Sequence, residues 1–327
     1  MKICIVGAGA IGGLLAVKLA ARGHDVSVVA RGAQLAAIRA SGLTLQEAGT
    51  ETRAKVHASA DMAAIGAQDL VVLGVKAHQL TALVADLPQL FGADTMVLTA
   101  QNGIPWWYFC KFGGPLQGRH LESVDPGGRI AAFLPVERVI GSVVYPAAEV
   151  VAPGVIRHIE GNRLSIAEID NSETPRLVAL SETLRDAGFK APMVSDIRTE
   201  IWTKLWGNLS FNPISALTGT TLAGLCRFPL TRALAAAMMA EAQSVGEALG
   251  IRFRISIDKR LAGGEAVGEH KTSMLQDVEA GRVLEIDALL GSVIELGRLT
   301  ATATPHLDAV YALAKLLDAR IQGAEAR

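Results

Sequence analysis

Hydrophobic positions fall into two regimes along the chain. Up to about residue 195, short apolar runs alternate with helix-spaced patterns. Lys2–Val6 predicts a strand, Ala10–Arg22 a helix and Asp25–Ala30 a second strand. Asp69–Val75 and Thr95–Thr99 predict further buried strands, separated by a helix-like stretch over Gln79–Leu87. Val139–Tyr145, Gly154–Ile159 and Arg163–Ile169 read as later, partly antiparallel strands, then a helix over Pro175–Ala187 and a last strand over Lys190–Val194. Such alternation predicts βαβ units and a parallel sheet. Past Ser195 the runs are long and helical, over Arg198–Leu217, Pro229–Leu249, Glu285–Leu299 and Pro305–Ala319. A boundary is therefore expected near residue 196, with an α/β domain over 1–196 and an all-α domain over 197–327. Between them in character, Cys110–Leu134 is rich in Gly and Pro and predicts a hairpin or flexible loop.

Composition narrows the classes. Of 327 residues, 50% are hydrophobic and 19% charged, enough apolar surface for two buried cores and too much for a disordered chain. The formal net charge of −1 provides no field for a nucleic-acid or anionic-membrane partner, and 5% aromatics provide few stacking platforms for bases. Cys4, Cys110 and Cys226 are odd in number and widely spaced, so no metal site is expected and a reducing, cytoplasmic setting fits them. The apolar start is broken by four glycines and Lys18, unlike an export signal. The uncharged run from Leu205 to Cys226 contains Asn208, Asn212 and Pro213, unlike a membrane span.

Gly7-Ala8-Gly9-Ala10-Ile11-Gly12 fits G-x-G-x-x-G between a predicted strand and helix. Its glycines allow a tight turn, close approach of a pyrophosphate to the backbone, and helix–strand packing, and the helix start offers N–H groups to the anion. This points to a Rossmann-type dinucleotide-binding domain; a turn that serves packing alone is the alternative. The second strand ends Val28-Val29-Ala30-Arg31, with no acid for a ribose 2′-hydroxyl. Arg31 can instead fork onto a 2′-phosphate, and Lys76 can add charge at the same sheet edge, so NADP(H) is the expected cofactor. A solvated surface cation is the alternative reading of each residue.

Lys204, Asn208 and Asn212 recur every fourth residue, on one helical face that drifts by about 40° per step. A lysine and two amides among Trp202, Leu205, Trp206 and Leu209 need polar partners or a wet cleft. The set reads as a carbonyl or carboxylate site with Lys204 as proton donor, or as a solvated stripe. Pro213 should bend or stop the helix. Ser273 and Glu285 form a second polar set; Glu285 at a helix start could also serve only the helix dipole.

These motifs together resemble the ketopantoate reductases (2-dehydropantoate 2-reductases), NADPH enzymes of pantothenate synthesis. The resemblance covers most of the chain and rests on KICIVGAGAIG, VKAHQ around Lys76, Gln101-Asn102-Gly103, W-x-K-L-x-x-N-x-x-x-N-P at 202–213, and SMLQD with GR-x-x-EID at 273–287. It implies catalytic roles for Lys204 and Glu285, with Asn102, Asn208, Asn212 and Ser273 binding a small 2-keto acid. It implies cofactor contacts from residues 7–12 (Gly7, Ala8, Gly9, Ala10, Ile11, Gly12), Arg31, Lys76, Asn102, the Ala147 backbone and Glu285. It also implies a homodimer through the helical domain, and hydride transfer from NADPH to ketopantoate, giving pantoate.

Two stretches depart from the family pattern. Thr220-Thr221-Leu222-Ala223-Gly224 lacks an Asn-Gly that many members place there, and Ile104-Pro105-Trp106-Trp107-Tyr108-Phe109 is bulky. The tryptophans either line a pocket for a different side chain or pack the segment that follows. A reductase of another 2-keto acid, or an NADP-binding sensor without turnover, are thus the alternatives.

Overall fold

The computed structural model describes residues 1–323 and divides into two compact units. The first comprises Met1–Gln101, Trp106–His120 and Asp125–Ile197. The second comprises Asn102–Pro105, Leu121–Val124 and the chain from Arg198 onward.

The first unit contains β1 (Lys2–Val6), α1 (Ala10–Ala20), β2 (Asp25–Val29), α2 (Gly32–Ser41), β3 (Leu43–Glu47), β4 (Thr50–Ala54), β5 (His57–Ser59), β6 (Gln68–Leu73), α3 (Ala77–Leu83), β7 (Phe91–Thr99), α4 (Arg129–Phe133), β8 (Val139–Val144), β9 (Ala147–Ala152), β10 (Val155–Glu160), β11 (Leu164–Glu168) and α5 (Pro175–Asp186). A seven-stranded sheet runs β11-β8-β7-β6-β1-β2-β5, parallel throughout except for β11. Its central strands are near-continuous apolar runs; Ile3, Ile5, Val71, Val72 and Leu98 are fully buried, as helices on both faces require. A second sheet, β4-β3-β10-β9, packs on α1. α1 is therefore enclosed, which explains its seven buried residues and its lack of a polar stripe.

Two local expectations need correction. Lys190–Val194 forms only isolated bridges, Arg163 with Lys190 and Ile166 with Met193. Pro192 accepts from Ile166 N through its carbonyl but has no N–H to return, so no ladder propagates. Residues 110–134 hold no strand. They form 3₁₀ turns at Gly114–Leu116 and Pro126–Gly128 and then α4, because the buried Asp125 carboxylate accepts from Ile130 N (2.6 Å) and Ala131 N (3.1 Å) at that helix start. The aromatics before it are packed: Trp107, Tyr108 and Phe109 are at most 1% exposed, and Trp107 Nε1 donates to Thr99 Oγ1 (3.3 Å).

The second unit is helical: α6 (Ile197–Thr218), α7 (Leu222–Arg227), α8 (Pro229–Ala248), α9 (Ile257–Ala266), α10 (Ser273–Glu279), α11 (Ser292–Leu299) and α12 (Pro305–Ile321). Trp202 and Trp206 are buried on α6; Trp206 Nε1 donates to Met239 O on α8 (2.7 Å), and its ring lies 4.6 Å from that of Phe253. Pro213, expected to bend or stop α6, does not stop it. The helix runs on to Thr218 because Leu209 to Ala216 are all buried, and packing outweighs the missing hydrogen bond. The helix expected from Glu285 begins at Ile286 and opens as a π-turn, Asp287–Gly291. Among the described residues, no helix is long and apolar enough to cross a membrane.

Candidate functional site

The polar groups singled out in the sequence lie at two places, one in each unit. In the first, β1 sits between β2 and β6, so the chain leaves the sheet to either side at its carboxyl edge, where open α/β sheets bind ligands. The glycine turn follows β1. Gly7 has φ +103°, a conformation that side chains resist, and its N–H donates to Val29 O (3.0 Å). A Cβ at Gly12 would collide with the Gly7 carbonyl oxygen, so only glycine lets α1 start this close to β1. A Cβ at Gly9 would meet nothing within 4 Å. The turn therefore presents open space in front of the first-turn N–H groups of Ala10, Ile11 and Gly12, a cradle that fits a pyrophosphate.

Two cations flank this turn. Arg31, exposed, is the N-cap residue of α2 after β2, and Lys76, half-buried, is the N-cap residue of α3 after β6. Gln79 Oε1 accepts from the Lys76 backbone N–H (3.1 Å), closing the start of α3. Ala147 opens β9, three residues after β8 ends. One participant was not foreseen. Gln34 Nε2 donates to Ala8 O (2.6 Å) while its Oε1 accepts from Gly154 N (3.0 Å), clasping the glycine turn to the β9–β10 hairpin. Gln34 carries no sequence signal, since its partners are backbone atoms brought near only by folding.

In the second unit, α6 presents Lys204, Asn208 and Asn212 as the spacing requires. Lys204 Nζ donates to Asn102 Oδ1 (2.5 Å), so residues 102 positions apart meet. Such a charge-assisted bond contributes about 1.5–3 kcal/mol. Lys204 keeps a partial opening to solvent, yet the surrounding protein pushes its ammonium down to about 8, against the Glu285 carboxylate, which raises it. Asn212, 7% exposed, reaches Ser273 Oγ through Nδ2 at 3.5 Å. Ser273 is exposed at the first turn of α10, which Thr272 caps by accepting from Leu275 N (3.2 Å). Lys204 is thus joined to Asn102 and to the field of Glu285, and Asn212 to Ser273. Asn208 lies between the two pairs along α6.

Asn102 itself is held from behind. Ile104 N donates to Ala288 O in the π-turn (3.0 Å), and a Cβ at Gly103 would strike that same carbonyl oxygen. The Asn-Gly dipeptide signals a turn, but the carbonyl it packs against lies 185 positions on and could not be read in advance. Nearby in the unit, Glu295 accepts from Glu122 N, Ser123 N and Ser123 Oγ at 2.6–2.9 Å, anchoring residues 121–124. An ammonium of lowered proton affinity, fixed by an amide oxygen beside further amides and a hydroxyl, can protonate a developing alkoxide and hold a carboxylate. Among the described residues, no cluster of His, Cys, Asp or Glu could hold a metal ion.

Residues 3–107 match the family model described as ketopantoate reductase PanE/ApbA, and residues 196–318 match the model of its C-terminal part. The 2-dehydropantoate 2-reductase of Mesorhizobium japonicum is 58% identical over 318 residues, 97% of this chain and 98% of that protein. The chain belongs to the ketopantoate reductase family. It is accordingly an oxidoreductase. Among solved structures, the PanE/ApbA family ketopantoate reductase from Ralstonia eutropha JMP134 superposes with TM-score 0.84 at 27% identity, over 98% of this chain and all of that one. A D-mandelate dehydrogenase, solved with NADH and anilino(oxo)acetate, shares the fold at TM-score 0.85 and 23% identity, over 98% and 100% of the two chains. The two matched ranges include the glycine turn after β1 and the whole of α6.

Proposed function

We propose that this oxidoreductase reduces 2-dehydropantoate to pantoate with NADPH, as a step of pantothenate synthesis. The observation that carries the reading is Lys204: an ammonium brought down to about 8 and fixed by Asn102, on the helix face that also bears Asn208 and Asn212. The name of the 58% identical relative supports the same substrate.

The glycine turn would hold the NADPH pyrophosphate, Arg31 and Lys76 its 2′-phosphate, and the Ala147 backbone a further part of the cofactor. Bound NADPH supplies the hydride that reduces the 2-carbonyl carbon. Lys204 donates one Nζ proton to the carbonyl oxygen as that oxygen becomes an alkoxide, leaving a neutral amine that solvent reprotonates. A donor near pH 8 is well matched to this task, because it is largely protonated at neutral pH yet gives up its proton far more readily than an ordinary lysine. Asn102 uses its Oδ1 to direct the ammonium. Glu285 stabilises the charged form of Lys204 and would accept from ligand hydroxyls. Asn208, Asn212 and Ser273 donate to substrate oxygens without adding charge, which leaves the proton affinity of Lys204 to Glu285 and burial.

The burial of Trp107, Tyr108 and Phe109 in the first unit supports the reading in which they pack the segment that follows, over one in which they line a pocket for a different side chain. The test is loss of NADPH absorbance on adding 2-dehydropantoate, with other 2-keto acids in parallel and pantoate identified as product. Faster turnover of another acid would replace the substrate. No oxidation with any of them would leave a nucleotide-binding protein without this chemistry.

A further inference from the structure

The carboxylate that raises the proton affinity of Lys204 stands on a stretch of chain that does not fix itself. Residues 282–285 belong to no helix or strand, and the helix that follows opens at Ile286 as a π-turn. Regular backbone hydrogen bonding therefore does not set the position of Glu285, yet its pull on Lys204 depends on distance. α12 supplies two fixtures, one on each side of it. Before Glu285, the Asp318 carboxylate, 7% exposed, accepts from Leu284 N through Oδ1 (2.9 Å) and from Gln322 Nε2 through Oδ2 (2.7 Å). After it, Asp287 accepts from Tyr311 OH (2.8 Å) and Lys315 Nζ (3.1 Å). Tyr311, Lys315 and Asp318 follow one another at spacings of four and three, on one face of α12 with the fully buried Ala314. Gly291 lets that face come close, since a Cβ there would lie 3.3 Å from the Tyr311 ring. On α10, Asp277 takes Arg282 Nε (2.9 Å), which ties the stretch three residues before Glu285.

The second fixture reaches further. In the π-turn, Ser292 N donates to Asp287 O, and the Ala288 carbonyl accepts from Ser292 Oγ (2.8 Å) and from Ile104 N. That carbonyl backs Gly103 and so steadies Asn102, whose Oδ1 takes the Lys204 ammonium. The two groups that act on Lys204 thus both lead back to one helix face. Burying a carboxylate is costly, and two elements can pack without one. Asp318 directs its buried charge at the N–H that immediately precedes Glu285.

We propose that Asp318 is a positioning residue for Glu285, and that α12, through Asp318 and the Asp287–Tyr311–Lys315 cluster, is the frame that aligns Glu285 and Asn102 on Lys204. This rests on the reading of Lys204 as proton donor to a 2-oxo acid. Asp318 touches neither substrate nor cofactor; it acts through the backbone of Leu284.

The test is the pH dependence of kcat/KM for NADPH oxidation with a 2-oxo acid that the wild-type enzyme reduces, read beside thermal melts. Asp318→Ala removes the acceptor for Leu284 N. It should lower kcat about 10- to 100-fold and leave KM for NADPH within about twofold. It should also move the alkaline limb set by Lys204 toward neutrality, in the same direction as Glu285→Gln. Asp318→Asn keeps a carbonyl oxygen for Leu284 N, and Gln322 can turn its own oxygen toward the new amide, so the limb should return to its wild-type place. Tyr311→Phe keeps the ring on Gly291 and should move the limb the same way but less; it carries the test should Asp318→Ala fail to fold. Added to Glu285→Gln, Asp318→Ala should lower the melting temperature as it does in the wild type, yet move the limb no further. A limb that stays in place in folded Asp318→Ala, or in Tyr311→Phe where the former does not fold, would overturn the assignment. So would a limb displaced as far by Asp318→Asn as by Asp318→Ala, or shifts that add in the double variant. Failure of the wild type to oxidise NADPH with any 2-oxo acid, or a limb that persists in Lys204→Ala, would instead overturn the functional reading, and this assignment with it.

Discussion

The proton affinity of Lys204 offers the sharpest handle on the chemistry. Going from 10.5 to about 8 makes the ammonium about 3 kcal/mol less favourable, relative to the amine, than in water. Burial drives that change and Glu285 opposes it. As a proton donor, Lys204 must be protonated, so kcat/KM for reduction should be flat near neutrality and fall tenfold per pH unit above about 8. Glu285→Gln removes the opposing charge and leaves a group of the same shape. The lysine must then lose its proton at lower pH, and the alkaline limb must move toward neutrality. Lys204→Ala should remove the limb and lower turnover by about 10²- to 10⁴-fold, with NADPH affinity little changed. The same group sets a stability signature. The folded state releases this proton near pH 8 and the unfolded chain only near 10.5, so between those values the unfolded chain binds more protons and stability should rise with pH. The assay is a pH series of initial rates for the three proteins, alongside thermal melts over pH 7.5–10. An alkaline limb that stays in place in Glu285→Gln, or that persists in Lys204→Ala, would refute the assignment of Lys204 as the titrating acid.

Other outcomes follow from the first unit. Arg31→Asp should raise the Kd for NADPH about 10- to 100-fold while affecting NADH far less; an unaltered ratio, measured by fluorescence titration, would remove the 2′-phosphate role. Gly12→Ala drives a methyl into the Gly7 carbonyl, a collision costing about 1–3 kcal/mol, and melts should fall by several degrees together with cofactor binding. Gln34→Leu breaks two hydrogen bonds of about 1 kcal/mol each, and should weaken NADPH binding without touching any cofactor atom; calorimetry showing wild-type affinity would mean the clasp is dispensable.

Much of the fold was legible wherever one physical signal dominated. β1 and the start of α1 fall at their expected residues because a fully buried parallel strand followed by a glycine turn has few other readings. The second sheet was not legible. β4 reads Thr-Glu-Thr-Arg-Ala, with one buried residue, and β3 pairs with β10 from more than a hundred positions away. α9 escaped notice for a related reason: two glycines, Gly263 and Gly264, weaken its helical pattern, and one of them exists to admit Phe211. In the candidate site, residue types and helical spacing grouped Lys204, Asn208 and Asn212, since side chains four apart share a face. Spacing is silent on pairs distant in sequence. Lys204 with Asn102, and Gly103 with the Ala288 carbonyl, depend on tertiary folding alone, and so does the clasp made by Gln34.

The second unit is stitched from three separate stretches of chain, with residues 102–105 and 121–124 supplied from the first half. On the ribosome, Asn102 emerges about a hundred residues before its lysine, and the amides of Glu122 and Ser123 wait still longer for the Glu295 carboxylate. A hybrid gene made by one crossover near residue 197 would inherit Lys204 from one parent and Asn102 from the other. Shuffling the two halves between homologues is therefore governed by how well eight residues outside the transplanted half are matched to it.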